Sequence, residues 1–147
     1  MELLSYVAEI VGIPLALLTF VHQERKERQA EQEEIYDKLM EHYARVQTKL
    51  FENPELDQHD RPLSNGEDIR RQHIIYDMLV SLFERSFILL YGETEPGYRR
   101  MWNSWNDYIS YWVKYPNFRN ALPELMKGED PEFVAFMAGA TGLPLKP

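Results

Sequence analysis

Apolar positions recur at helical spacing along nearly the whole of this chain, and no segment alternates with the period of two expected of a half-buried strand. The first block is the densest. Leu3 to Val21 is apolar almost throughout, and a helix of that length would run roughly 28 Å, close to the ~30 Å of a hydrocarbon core. Residues 1–22 are therefore expected to form a transmembrane anchor. From Glu24 to Glu34 every residue is charged or Gln except Ala30, which predicts a solvated juxtamembrane helix over 23–34. The folded domain should then occupy 35–147.

Within that domain, Ile35, Leu39, Tyr43, Val46 and Leu50 mark one face of the continuing helix. Asn53-Pro54 should end it, because the residue before a proline is pushed out of the helical region. A loop rich in Asp, Asn and Pro follows. Ser64 or Asn65 is the expected cap of helix two, and Ser64-x-x-Glu67 has the form of a capping box. Ile69, His73, Tyr76, Val80, Phe83, Phe87 and Leu90 then recur by four and three. Ile74, Ile75, Met78, Leu79, Leu82 and Leu89 cover much of the remaining surface, so this helix should be central and buried nearly all round. Gly92 is placed to end it.

Helix three is expected from about Tyr98 to Tyr115, burying Met101, Trp102, Trp105, Tyr108, Ile109, Trp112 and Val113, with Pro116 as its stop. A short helix from Asn117 to Met126 ends at Gly128. Asp130-Pro131, a cap residue followed by proline at the first helical position, opens a last helix that Gly139, Gly142 and Pro144 close. The expected fold class is all-α: an N-terminal transmembrane helix and a cytosolic helical bundle of three main helices plus two short ones.

Polar and small residues of the anchor share one side. At 100° per residue, Ser5, Ala8, Glu9, Gly12, Ala16 and Thr19 fall within a sector of roughly 100°. Ala8, Gly12 and Ala16 form a small-xxx-small row that lets helices approach closely in lipid, so self-association through this face is expected, with Glu9 turned toward the partner. Pro14 should bend the helix or loosen one turn. Arg25, Lys26 and Arg28 follow the run and no Lys or Arg precedes it. The positive-inside rule then puts the N-terminus outside and the domain in the cytoplasm.

Charge narrows the choice of partners. The formal net charge is −8 and no basic stripe appears, which argues against nucleic acid, whose binding rests on Lys and Arg neutralising phosphates. Zero cysteines excludes disulfides, thiol nucleophiles and zinc–thiolate sites.

The blocks Ile35-Tyr36…Leu39, Phe51-Glu-Asn-Pro-Glu-Leu-Asp57, Ile75-Tyr76…Leu79-Val-Ser-Leu-Phe-Glu-Arg85, Trp102…Trp105 and Pro116-Asn-Phe-Arg119 resemble an uncharacterised bacterial family. Its members are small all-helical proteins with one N-terminal transmembrane segment. The resemblance implies this architecture and a bacterial plasma-membrane location, and it implies no activity, cofactor or catalytic residue.

Candidate chemistry is sparse. Asp57-x-His59-Asp60 offers three potential metal ligands but no evident fourth, and reads as a solvated loop. His73, on the apolar stripe of helix two, reads as a hydrogen-bonded core histidine. Glu84 is set in the most hydrophobic part of helix two, and Arg119 follows helix three. These two are expected to pair and fix how the short helix docks, or else to line a small-molecule pocket with Trp102 and Trp105. Arg70, Arg71, Arg99 and Arg100 form two basic pairs that would be solvated or meet anionic headgroups. No catalytic, cofactor or metal site is expected.

Together these features favour a non-catalytic membrane-anchored interaction module that self-associates through its first helix and presents its domain to a protein partner. Two alternatives stand beside it: an oligomeric pore with Glu9 facing the lumen, and a small-molecule-sensing helical domain.

Overall fold

The computed structural model describes the backbone of residues 2–147 and the side chains of residues 14–147. Five α-helices and one 3-10 turn make up the described chain, with no strand: α1 (Glu2–Glu52), the turn Pro54–Leu56, α2 (Gly66–Leu90), α3 (Pro96–Trp112), α4 (Pro116–Leu125) and α5 (Pro131–Thr141). Two compact units divide it, residues 1–36 and 37–147, with α1 contributing to both.

The expected anchor is the main point of departure. Among the described residues no helix is long and apolar enough to cross a membrane. Residues 14–21 carry the described part of the apolar run, and eight residues of helix rise only about 12 Å. In the proposed packing face, Ser5, Ala8, Glu9 and Gly12 lie outside the described side chains. Ala16 and Thr19 are exposed, and the Thr19 hydroxyl donates to the carbonyls of Leu15 and Ala16 at 3.0 and 2.8 Å. The helix continues through Pro14 without a break.

In the larger unit α2 is the hub, packed against α3, α4, α5 and the 3-10 turn. Tyr76, Leu79, Val80, Phe83, Phe87 and Leu90 of α2 are buried, as are Trp105, Ile109 and Trp112 of α3, Phe118 and Leu122 of α4, and Phe133, Val134 and Met137 of α5. Full burial of each large apolar side chain contributes about 1.5–3 kcal/mol. α1 adds Leu39, Val46 and Leu50, and is tied to α3 by Tyr43, whose ring meets Trp105 edge-on at 5.9 Å and whose hydroxyl accepts from Trp112 Nε1 at 3.3 Å. Desolvation raises the Tyr43 phenol above its usual pKa.

α2 is not apolar-buried all round. Ile69, Ile74, Met78, Ile88 and Leu89 are exposed, because the neighbouring helices cover one side and leave a stripe open. Helix three also begins two residues earlier and ends three earlier than its hydrophobic pattern suggests. Pro96 opens it at the first helical position, and Val113 to Tyr115 form the turn into α4. Tyr36 and Phe51, both within the quoted sequence blocks, are exposed.

Candidate functional site

The loop after α1 reads in the sequence as a solvated connection, and the structure places it against the core. His59 is only 7% exposed. Its Nε2 lies 2.8 Å from Asp57 Oδ1 and its Nδ1 lies 2.7 Å from the Tyr76 hydroxyl. The rings of Tyr115, Trp112 and Tyr76 surround it at 4.9, 5.0 and 5.9 Å. Burial, then the nearby Asp57 charge, pushes the Tyr76 phenol well above its ordinary value. Both imidazole nitrogens are thus engaged by protein groups, and Asp57 and His59 are partners rather than open ligands.

Amide side chains hold the same loop by its backbone. Gln72 Nε2 donates to the carbonyls of Leu56 and Gln58 at 2.8 and 2.9 Å. Asn117 Nδ2 donates to those of Gln58 and Arg61 at 2.7 and 2.8 Å, while the Asn117 backbone N–H donates to the His59 carbonyl at 3.0 Å. These bonds satisfy backbone acceptors that burial would otherwise strand.

Beside the His59 lock that these bonds form, between the loop, α2 and α4, lies an open cleft of about 250 Å³. Leu63 and Ile69 give it apolar walls, and Gln72, His73, Asn117 and Asn120 line it with polar groups. His73 is half-buried at this cleft rather than enclosed in the core. The mixture of apolar walls and a few amide and imidazole groups is the composition of a small-molecule site.

Glu84 and Arg119 do not meet. Glu84 Oε1 accepts from the Asp130 N–H at 2.5 Å, at the start of α5. Arg119 donates to the Thr141 carbonyl at 2.9 Å, at the end of α5, and to the Val113 carbonyl at 3.3 Å, at the end of α3. An eleven-residue helix is about 16 Å long, which is what separates the two charges. Each complements the helix end it touches, an acid at the positive N-terminus and a cation at the negative C-terminus.

Next to Glu84, Glu129 is raised to about 7, first by desolvation and then by its hydrogen bond to Glu84 and the charges of Glu84 and Asp77.

The two tryptophans are also apart in their surroundings. Trp102 joins Phe87, Tyr91 and Phe136 in an aromatic cluster with centroids 5.2–5.8 Å from its own. Trp105 is wholly buried against Tyr43 and Tyr108, and its Nε1 has no hydrogen-bond partner. The four residues Glu84, Arg119, Trp102 and Trp105 therefore serve four different places. Among the described residues no three His, Asp or Glu side chains converge as metal ligands would.

No family model, no curated protein and no solved structure matches the chain.

The basic pairs hold local contacts. Arg70 donates to Glu67 at 2.8 and 3.1 Å. Arg71 bridges Glu55 at 3.1 Å, Asp68 at 3.3 Å and Asn53, tying the 3-10 turn to α2. Arg99 and Arg100 donate to the carbonyls of Thr94 and Pro96.

The His59 lock is the feature that sequence reasoning missed. Its one visible signal was a His flanked by two Asp, Asp57 and Asp60, in a short loop bounded by Pro54 and Pro62.

Proposed function

We propose that this protein is a non-catalytic, membrane-tethered interaction module. Segment 1–22 holds it at a bacterial plasma membrane with the N-terminus outside and associates with other copies, while the helical domain is offered to a cytoplasmic protein partner. One observation carries the reading. Leu15, Leu17, Leu18, Phe20 and Val21 are all exposed, and at 100° per residue they cover a sector of about 220°, the remaining side being that of Ala16 and Thr19. So wide an exposed apolar surface on one helix needs lipid or protein as cover, and Arg25, Lys26 and Arg28 follow at once, as at a membrane surface.

Liposome flotation tests it. The full chain is expected to rise with the vesicles, and the Leu17→Asp, Leu18→Asp double variant to remain below. A full chain that stays in the bottom fraction overturns the tether.

A second reading is favoured by the cleft beside His73. Small-molecule sensing would use Gln72, His73, Asn117 and Asn120 as its polar contacts, in place of the Glu84–Arg119 region. Native mass spectrometry of the full chain after exposure to a small-metabolite extract, repeated with Asn120→Leu, distinguishes it: an adduct lost in the variant supports sensing, and an adduct-free chain rejects it.

A further inference from the structure

The outward stripe of α2 is organised about its own midpoint. Ile74, Asp77, Met78, Ser81, Arg85 and Ile88 are all exposed and fall within a sector of about 100° at 100° per residue. Ser81 sits at the centre. Asp77 and Arg85 lie four residues to either side of it, and Ile74 and Ile88 lie seven to either side.

We propose that this face is a two-fold interface through which two copies of the chain pair with their α2 helices antiparallel, crossing at Ser81. In that arrangement Asp77 of each copy faces Arg85 of the other, and Ile74 of each faces Ile88 of the other. The charge pair occurs twice and so does the apolar pair, which is the self-complementarity an isologous interface requires. Parallel pairing is disfavoured, because it sets Asp77 against Asp77 and Arg85 against Arg85. The small Ser81 side chain at the crossing lets the helix axes approach.

Three features of the single chain support a second copy as the occupant. Neither Asp77 nor Arg85 makes a hydrogen bond or an ion pair with any described residue, so both charges are available. Asp77 also lies close enough to Glu129 for its charge to help raise that carboxyl, an unfavourable like-charge contact that an incoming guanidinium would relieve. Asp77, Met78, Ser81 and Arg85 of the stripe also line a groove of about 300 Å³ whose other wall is His42 and Val46 of α1, so the centre of the face is bounded by concave surface. Exposed charge pairs contribute little affinity on their own, so the apolar residues supply the attraction and the charges set register and direction. The pairing is independent of segment 1–22 and goes beyond the tether in naming a second surface.

The chain has no cysteine, so Ser81→Cys introduces a single thiol. In the full-length protein in mild detergent, a short bismaleimide is expected to join two such chains across the axis. Ser104→Cys, at an exposed position on α3, is expected to stay uncoupled. By sedimentation, Asp77→Arg and Arg85→Asp should each weaken the dimer about tenfold, through like charges meeting twice, and the combined reversal should restore it to within about threefold. Cross-linking that is absent at Ser81, or no greater there than at Ser104, overturns the proposal. So does a dimer indifferent to the single reversals, the pattern of association through segment 1–22 alone, or a combined variant no better than the singles. If either reversal prevents folding, the Ser81→Cys comparison decides.

Discussion

Burial lifts the Glu129 carboxyl to about 7, with Glu84 and Asp77 adding to the effect, and this has a direct consequence for stability. Between its ordinary 4.5 and about 7 the native state keeps a proton that the unfolded chain has released, so stability falls as pH rises across that window and levels off above it. The thermal midpoint should therefore decline from pH 5 to pH 8, and Glu129→Gln should flatten that decline. A wild-type midpoint that rises over the same range would contradict the assignment. At the His59 lock, the Tyr76 hydroxyl is buried and has His59 as its hydrogen-bond partner. His59→Leu should cost about 1–3 kcal/mol in urea unfolding by stranding it. Adding Tyr76→Phe should cost less than the sum of the two single changes, since the same bond cannot be lost twice.

Element boundaries follow local chemistry that is visible in the chain. The Asp130 carboxylate accepts from the Phe133 N–H at 2.9 Å and Pro131 follows at the first helical position; Gly142, at φ +71°, closes α5. Gly92 and Gly128 take left-handed φ just beyond α2 and α4, where a side chain would be strained. At the start of α2 the acceptor is Asn65 Oδ1, which takes the Glu67 N–H at 3.0 Å, and not the Ser64 of the capping-box pattern. Asn65→Ala and Asp130→Ala should each cost about 1 kcal/mol of unfolding free energy, and Ser64→Ala close to nothing; a large Ser64 effect would mean that α2 starts with the other cap. Caps and prolines act within four residues, which is why they could be read. The position of the His59 loop could not, because its partners Tyr76, Gln72 and Asn117 are brought to it only by the packing of α2 and α4. The Glu84–Arg119 expectation failed for a related reason. Periodicity marks both as charges on apolar helices, but only the length and placement of α5 show that they sit at its opposite ends.

At the scale of the molecule, an acidic helical domain at residues 37–147 and a segment with exposed apolar side chains at 15–21 lie on one chain. The hub α2 packs against its neighbours in sequence, the 3-10 turn and α3, and also against α4 and α5 farther along the chain. The bonds from Asn117 to the loop are among its long-range ties, spanning 56 residues to Arg61 and 59 to Gln58. They can form only once α2 and α4 have come together, so they belong on the native side of the folding barrier. Asn117→Ala should accordingly speed unfolding while leaving the refolding rate nearly unchanged, which the two arms of a stopped-flow chevron would report separately. The amide that fastens the loop acts as a latch on escape from the native state: it sets how long the domain stays folded rather than how quickly it gets there.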